Sequence, residues 1–313
     1  MLFSWSIQTS AQSKEPYRSF DYLCDLFAEN YASLEEKGID WSKHCNEHRK
    51  TLKDDMSDEE LFDVLSSLLK PLNDGHVTLR ASKIDKSFSA IRPSPTLQNL
   101  DGIERRELGT RVREMIWQTL ENEGFEEVKT LGPQWRDKPL FYYTKNETTG
   151  YLAYFRSFST YVKMVGPSLE SQLDEIFDYF SSVDRLIVDV RFNIGGEDFF
   201  SHAVASRFTT PKEVAYYKQV RKKGEFKELQ ERKLKGTSSP FLKPTAQLVN
   251  DRTISAADVF VMMMDDIPSV TLIGTRTNGS YSDIYSKKLP NSWKINLSNE
   301  RYLTLNKKNY EGV

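Results

Sequence analysis

Ser255, in the segment TISAAD, follows a polar turn and precedes an apolar helical pattern. A serine in that position can be an ordinary helix N-cap, with Asp258 three residues later completing a capping box. It can also be a nucleophile, because the free N–H groups and the positive end of the helix dipole stabilise an oxyanion that forms beside it. The segment alone is compatible with both roles.

A serine nucleophile needs a base, and the chain has four histidines. His76 lies in the turn NDGHV, which enters a short alternating strand. His202 falls inside a predicted helix, where packing explains it, and His44 and His48 share a polar helical face. His76 is therefore the candidate base, although a lone histidine near a turn is more often a surface or packing residue.

Gly195 and Gly196 follow the apolar strand pattern LIVDVRF, in the segment NIGG. Glycines there allow a backbone that points N–H groups into the cleft at the carboxyl end of a strand, where open α/β sheets bind ligands. The segment has neither the G-x-G-x-x-G spacing nor a P-loop lysine, so nucleotide binding is disfavoured. Taken alone, a tight strand-to-helix turn is the simpler interpretation.

A different chemistry is suggested by the segment HCNEH, in which His44, Glu47 and His48 fit the H-x-x-E-H pattern of zinc peptidases. Two histidines one helical turn apart can hold zinc, and the glutamate can act as base. The pattern is short enough to arise often by chance, and it needs a further ligand from elsewhere. We therefore expect no metal and no cofactor, and zinc is kept as an alternative.

The composition of the chain excludes several classes of protein. Its 313 residues, 38% of them hydrophobic and 28% charged, are typical of a globular protein with one large domain or two modest ones. A net charge of -2 gives no basic field for a phosphate backbone, so nucleic acid is not expected as a partner. No apolar stretch approaches the roughly twenty residues that cross a bilayer.

Two features bear on the compartment. Cys24 and Cys45 lie in helical patterns without metal-type spacing, so buried thiols are the default, and a disulfide requires that the two helices abut. Residues 1–16 contain a brief apolar piece and then small and polar residues, which is similar to the end of a secretory signal. We expect export, to the periplasm or outside the cell.

The elements that must position these residues fall into three stretches. Residues 1–80 predict a small helical bundle that ends in the DGH turn. Residues 81–149 form a connecting segment with little periodicity, one predicted helix and no carboxylate-binding loop of the PDZ kind. Residues 150–313 predict an α/β domain in which strands alternate with helices, so a largely parallel sheet covered on both faces is expected.

The pattern of apolar residues places the individual elements. Predicted helices cover residues 19–37, 41–52, 57–71, 104–123, 168–183 and 197–208, and another follows Ser255. Predicted strands cover residues 150–158, 185–192, 246–250 and 269–275. Residues 281–306 alternate in short segments and predict antiparallel hairpins, and the lysine-rich residues 216–236 predict a solvated hairpin or helix face.

In this order, the segments LNDGHVTL, LIVDVRFNIGG, LVNDRTISAADVF and LIGTRTNGS resemble the carboxyl-terminal processing peptidase family of serine peptidases, which includes the tricorn protease core. The resemblance covers most of the chain except residues 83–145. It implies a fold similar to the crotonase and Clp protease core, and cleavage of peptides or unfolded protein segments through an acyl-enzyme. It also implies that Ser255 is the nucleophile, and that the N–H of Ala256 with that of Gly195 or Gly196 forms the oxyanion hole.

The family activates its serine in two ways. The processing peptidases use a lysine in a glycine-lysine pair, and the corresponding residues here are Gly279 and Ser280. Lys287 and Lys288 lie in the next strand and would need a shifted register. The resemblance therefore favours the tricorn-like branch, in which a histidine is the base.

In the tricorn-like branch His76 matches the histidine, and Gly75 replaces the serine that precedes it. Asp74 is a nearby polar substitute. The orienting carboxylate of this branch lies in a motif near the end of the chain, which makes Glu311 in YEGV the candidate. The α/β domain looks cut short directly after this residue, and fraying of Glu311 would lower activity.

Three alternatives remain open at this point. Gly75, the missing lysine and the ending motivate a non-catalytic relative that binds a peptide or a small apolar ligand. A crotonase-like acyl-transfer enzyme would bind coenzyme A and tolerate Ser255→Ala. A zinc peptidase would lose activity with a chelator. The sequence predicts neither the substrate preference nor the oligomeric state.

Overall fold

The structure is a computed structural model that describes residues 15–132, 134, 138–157 and 168–312. Within them the α-helices are α1 (Glu15–Asn30), α2 (Trp41–Arg49), α3 (Asp58–Leu69), α4 (Gly102–Asn122), α5 (Leu169–Tyr179), α6 (Asp198–Ala205) and α7 (Ala256–Asp265). Short 3-10 turns cover Lys70–Leu72, Ser82–Ile84, Pro95–Leu97 and Ser206–Phe208. The predicted signal-like segment, up to residue 14, and residue 158 of a predicted strand lie outside the described residues.

The strands belong to three sheets. They are β1 (Thr78–Ala81), β2 (Lys86–Ser89), β3 (Lys129–Leu131), β4 (Phe141–Lys145), β5 (Thr149–Tyr154), β6 (Arg185–Asp189), β7 (Lys212–Lys222), β8 (Glu225–Phe226), β9 (Gln230–Leu234), β10 (Thr245–Val249), β11 (Val270–Gly274), β12 (Ile284–Lys288), β13 (Lys294–Ser298) and β14 (Glu300–Leu303). The lysine-rich stretch is the β7–β8–β9 antiparallel region, so of its two predicted forms the hairpin is confirmed.

The main sheet has the strand order β11-β10-β6-β5-β4-β3. The pairs β11–β10, β10–β6 and β6–β5 are parallel, whereas β4 and β3 add antiparallel. Leu152 and Tyr154 of β5 pack with α5, α6 and α7 in one large core, while Tyr151 and Ala153 of the same strand pack against α4. Because alternate residues of a strand point to opposite faces, helices cover both faces, and the predicted α/β fold is confirmed.

A second sheet, with the order β12-β13-β1-β2, joins the two ends of the chain. Leu79 of β1 lies opposite Ile295 of β13, and both are fully buried together with the apolar faces of α1, α2 and α3. We call this cluster the N-terminal core and the larger cluster around the main sheet the sheet core. The packing units therefore cross the predicted boundaries at residues 80 and 150, because strands near the carboxyl end complete the N-terminal core.

The first helix ends earlier than predicted. Its periodic pattern continues to Leu34, but α1 stops at Asn30 and residues 32–38 form a turn. The N–H of Ala32 donates to the carbonyl of Ser298 in the β13 region, so a tertiary hydrogen bond takes the place of the next helical one. At α3 the local signal was sufficient, since Ser57 and Glu60 form the predicted capping box.

Cys24 of α1 and Cys45 of α2 form a disulfide, with their Cα atoms 6.2 Å apart. The default interpretation as buried thiols was therefore wrong. The two helices abut through Phe27 and Trp41, whose rings stack at 5.3 Å, and this packing brings the two cysteines within bridging distance. In the described part of the chain no helix is long and apolar enough to cross a membrane.

Candidate active site

Ser255 occupies a sharp turn between β10 and α7. Its backbone has φ 65° and ψ -128°, which a non-glycine residue adopts only under about 1–3 kcal/mol of strain. Two hydrogen bonds to the segment after β6 fix the turn. The Thr253 hydroxyl donates to the Val190 carbonyl, and the Ile254 N–H donates to the Asn193 carbonyl. The sequence thus places a strained serine at the N-terminus of a helix, next to the ends of two parallel strands.

Asp258 connects this turn with the loop that follows β11. Its fully buried carboxylate accepts the N–H of Ser255 at 3.0 Å and the N–H groups of Gly279 and Ser280 at 3.2 and 3.0 Å. Burial raises the pKa of Asp258 to about 6, against the lowering effect of hydrogen bonds from Thr277 and these N–H groups. The predicted capping partner of Ser255 is therefore also the anchor of a second loop.

Gly195 lies directly against Ser255. A Cβ on Gly195 would be 2.5 Å from the Ile254 carbonyl oxygen and 2.6 Å from the Ser255 Cβ, so only glycine fits this contact, at φ 75°. The Gly195 N–H is engaged, since it donates to the Asn193 Oδ1 at 2.9 Å. Among the described residues, the N–H groups of Gly196 and Ala256 have no such partner.

His76 is buried, with 5% of its surface exposed. Its N–H donates to the Asp74 Oδ1 at 2.8 Å, and its buried Nδ1 has no hydrogen-bond partner within the described structure. Burial lowers the pKa of His76, while the carboxylates of Asp74 and Asp283 oppose that shift. The imidazole is therefore neutral at pH 7, which a proton acceptor requires.

The segment of His76 reaches the nucleophile turn through Gly75. A Cβ on Gly75 would lie 2.6 Å from the Cδ1 of Ile254, the residue directly before Ser255. A side chain at position 75 would therefore push the end of the Ile254 side chain aside, next to Ser255. No hydrogen bond joins the His76 ring to Ser255 in the described part of the chain, and such bonds are often long in structures without substrate.

Glu311 is held in the interior, with 2% of its surface exposed. Its Oε2 accepts the Tyr281 N–H at 2.8 Å, and the next residue, Gly312, donates its N–H to the Gly279 carbonyl at 2.8 Å. Burial raises the pKa of Glu311 well above its usual range, the Asp74 carboxylate adds to the shift, and Lys37 opposes it. Its Oε1 is buried without a partner among the described residues.

Asp74 acts on both candidate partners of Ser255. It is fully buried, it accepts the N–H of His76, and its other oxygen accepts the Tyr31 hydroxyl at 2.9 Å. Its charge acts on both His76 and Glu311. Sequence reasoning named Asp74 only as a nearby substitute and missed the role of Tyr31, which follows α1 and carries no signal beyond the apolar stripe of the predicted helix.

The residues of the alternative chemistries lie elsewhere. His44 in α2 bonds the Leu68 carbonyl through Nε2, and the Nδ1 of His48 bonds the His44 carbonyl. The residues that the structure describes contain no group of three potential ligands able to hold a metal ion. Lys287 of β12 lies with its Nζ 4.7 Å from the centre of the Tyr285 ring.

A cleft of about 590 Å³ opens beside Gly196. Phe199, half exposed, lies on one side of it, and His202 lies deeper, with its Nε2 2.9 Å from the Tyr216 hydroxyl. Asp198 also lines the cleft; burial raises its pKa to about 6, and its carboxylate accepts the Tyr302 hydroxyl at 2.7 Å. Gly196, the neighbour of the glycine that contacts Ser255, forms one edge of the cleft.

Residues 149–313, just over half of the chain, match the sequence profile of Peptidase family S41. The chain belongs to this family. Residues 12–70 match the tricorn protease C1 domain, which agrees with the tricorn-like motifs of the N-terminal part. The protein is a serine-type peptidase. The family resemblance inferred from the ordered motifs is confirmed.

Solved structures of this family share the fold. A candidate peptidase from Parabacteroides merdae is 27% identical, with a TM-score of 0.77, and the match covers 96% of this chain and 87% of the other. Mature CPAF in complex with lactacystin is 14% identical, with a TM-score of 0.66 and coverage of 96% and 92%. The photosystem II D1 C-terminal processing protease is 13% identical, with a TM-score of 0.53 and the same coverage. No curated protein sequence matches the chain.

Proposed function

We propose that this S41 peptidase cleaves peptides or unfolded protein segments through an acyl-enzyme on Ser255, with His76 as general base. The contact of Gly195 with Ser255 carries the proposal. It places a strained serine, the N-terminus of α7 and a glycine turn at one point, with the N–H groups of Gly196 and Ala256 free. Such a grouping supplies a nucleophile and two donors for the oxyanion that forms on it.

In the first step the Ser255 oxygen attacks the substrate carbonyl carbon while His76 takes the hydroxyl proton. The carbonyl oxygen becomes an oxyanion that accepts hydrogen bonds from the N–H groups of Gly196 and Ala256. The protonated imidazole then gives its proton to the leaving amine, and an ester remains on Ser255. A water molecule then attacks the ester carbonyl while His76 takes a proton from it. His76 passes this proton to the Ser255 oxygen, and the new carboxyl end of the substrate is released.

Of the two glycines that the motifs offer as oxyanion donors, we propose only one. Gly195 and Gly196 were equal candidates in the sequence. Because the Gly195 N–H already donates to Asn193, we assign the donor role to Gly196 and give Gly195 the role of allowing close approach to Ser255.

Glu311 is proposed as the carboxylate that orients His76. The Nδ1 of His76 needs an acceptor for its proton, and the Oε1 of Glu311 is a buried acceptor without a partner among the described residues. Both groups feel the charge of Asp74, so they share one electrostatic environment. The two atoms do not bond each other directly in the described structure, and a bond through a single water molecule would hold the tautomer with Nε2 free to accept a proton.

Export is proposed as the location. The Cys24–Cys45 disulfide supports it, because disulfides form and persist in oxidising compartments such as the periplasm and the extracellular space. Mass measurement of protein recovered from the native compartment, before and after reduction, tests this. Two free thiols in that protein would contradict it.

The proposed function is tested by labelling with a fluorophosphonate probe, with the adduct located by mass spectrometry. Wild-type protein is expected to carry the adduct on Ser255, and Ser255→Ala and His76→Ala are expected to lose it. Ser292→Ala is the matched control, because Ser292 is another serine with positive φ, 70°, in the turn between β12 and β13. Loss of labelling in that control would point to a fold defect.

One alternative function is favoured by a specific observation. The His76 ring has no hydrogen bond to Ser255 in the described structure, as expected of a non-catalytic relative that only binds peptides. A folded wild-type chain that takes no fluorophosphonate but binds peptides would establish that alternative.

A further inference from the structure

Ser280 is a serine in the loop between β11 and β12. It is fully buried. Its Oγ accepts the N–H of Gly75 at 3.0 Å and donates to the Asn278 Oδ1 at 2.8 Å. Its hydroxyl therefore both donates and accepts a hydrogen bond, and one of these two bonds goes to the residue directly before His76.

A chain of three hydrogen bonds joins the segment of the base to the nucleophile turn. The Gly75 N–H donates to the Ser280 Oγ, the Ser280 N–H donates to the Asp258 Oδ2 at 3.0 Å, and the same oxygen accepts the Ser255 N–H at 3.0 Å. His76 enters β1, in the N-terminal core, whereas Ser255 precedes α7, in the sheet core. This path crosses the boundary between the two cores.

Gly75 has no side chain with which to hold its segment in place. A Cβ on it would lie 2.6 Å from the Ile254 Cδ1 and 3.3 Å from the Ser280 Oγ, so a side chain here would require the end of the Ile254 side chain to shift. The backbone N–H is the group that Gly75 offers, and Ser280 is its acceptor. An unsatisfied N–H in this dry place would cost free energy and loosen the segment.

We propose that Ser280 is a positioning residue, whose hydroxyl holds the Gly75–His76 segment at the distance from Ser255 that proton transfer requires. This role rests on the proposed function of Ser255 and His76. Ser280 itself touches no reacting atom. It supplies a polar side-chain partner from the opposite side of the contact to a residue that has no side chain of its own.

The positioning role is tested by comparing Ser280→Ala, Ser280→Cys and Ser282→Ala. Ser282 is the matched control, because it is also buried, lies in the same loop and makes two hydrogen bonds, to the Asp283 carbonyl and from the Glu300 N–H. Cysteine fills the volume of serine but is a weak acceptor. Two quantities are measured in each variant, the fluorophosphonate labelling rate of Ser255 and the pKa of His76 from NMR of its ring, assigned with His76→Gln.

Ser280→Ala is expected to slow labelling about fivefold to tenfold, the effect of one lost hydrogen bond. It is also expected to raise the pKa of His76 towards its ordinary value, because a loosened segment admits water to the buried ring. Ser280→Cys should behave similarly. Ser282→Ala is expected to change labelling less than twofold and to leave the His76 pKa in place, while it loses a comparable amount of stability.

The outcomes separate this role from the proposed function. A wild-type chain that is not labelled, with a His76 pKa that still moves in both Ser280 variants but not in Ser282→Ala, would end the nucleophile proposal and leave the positioning of His76 by Ser280 standing. An unchanged His76 pKa in Ser280→Ala would overturn the positioning role. Equal shifts in the Ser282→Ala control, or wild-type behaviour of Ser280→Cys, would also overturn it.

Discussion

The two cores of this protein are built in different ways. The sheet core comes mainly from one stretch of chain, in which parallel strands alternate with α5, α6 and α7. The N-terminal core combines α1, α2 and α3 with strands from both ends of the chain, since β1 pairs with β13. The proposed nucleophile belongs to the first core and the proposed base to the second. Catalysis would therefore depend on how the two cores are held against each other.

The boundary between the cores is more polar than either interior. Ser255, Asp258 and Ser280 face it from the sheet side through hydrogen bonds, while Gly75 and Asp74 face it from the N-terminal side. Apolar packing makes each core stable, but directional hydrogen bonds are what can set a distance between two particular atoms. Changes at this boundary should affect activity more than stability, and changes inside a core should do the reverse.

The largest effect is expected at the glycine that contacts Ser255. Gly195→Ala would place its Cβ 2.6 Å from the Ser255 Cβ, so the serine must move and labelling should fall at least about a hundredfold. Gly224→Ala is the control, since Gly224 has a similar φ of 81° and nothing within 4 Å of the added atom. Measured labelling rates that fall equally in both variants would show that backbone strain, and not the contact, is responsible.

Removal of the disulfide should act directly on the N-terminal core. Cys24→Ser with Cys45→Ser frees a loop of 21 residues and is expected to lower the unfolding free energy by about 2–4 kcal/mol. Urea denaturation followed by far-UV circular dichroism measures the change. If both cores unfold as one unit, a single transition shifts to lower urea. A separate early transition would show that the N-terminal core unfolds by itself.

A carboxylate in the cleft beside the sheet core should make stability depend on pH. The folded-state pKa of Asp198 is about 6, raised by burial, so the folded protein holds this proton more tightly than the unfolded chain does. The contribution of Asp198 is therefore most favourable below pH 4 and is lost as the pH rises to about 6. Asp198→Asn, which can still accept the Tyr302 hydroxyl, should be about 1–3 kcal/mol more stable than wild type at pH 7.5 and equal to it near pH 4.

Urea titrations at the two pH values check this prediction. Asp184→Asn serves as the control, because Asp184 is exposed and should leave the unfolding free energy within about 0.5 kcal/mol at either pH. A lower stability of Asp198→Asn at pH 7.5 would mean that the ionised carboxylate is needed there.

The smallest effect is expected in the pH profile of labelling. Burial lowers the pKa of His76, and a protonated imidazole cannot take the serine proton, so the rate should fall on acidification with a midpoint below 6.5. Asp283→Asn removes a carboxylate that raises this pKa, and should shift the midpoint slightly further down. A midpoint above 6.5 would indicate that His76 is more strongly paired with a carboxylate than the structure shows.

Much of the local structure could be predicted from the sequence. The capping box at Ser57, the helix 104–123 and the strands before Gly195 and Ser255 have strong periodic or capping signals, and the structure has these elements within a few residues. The predicted end of the first helix was wrong, because a hydrogen bond from Ala32 to Ser298 connects residues that are far apart in the chain. The disulfide was missed for the same reason, since it depends on the packing of two helices.

The candidate site divides in the same way. The types and order of Ser255, His76, Glu311 and the glycine pair are written in the sequence, because each lies in a short motif that also shapes its own turn. The tertiary structure alone decided which glycine N–H is free, that Asp74 reaches His76, and that Ser280 accepts the Gly75 N–H. The physical reason is that a local motif depends on neighbours in the chain, whereas a hydrogen bond between two cores depends on how their buried surfaces pack together.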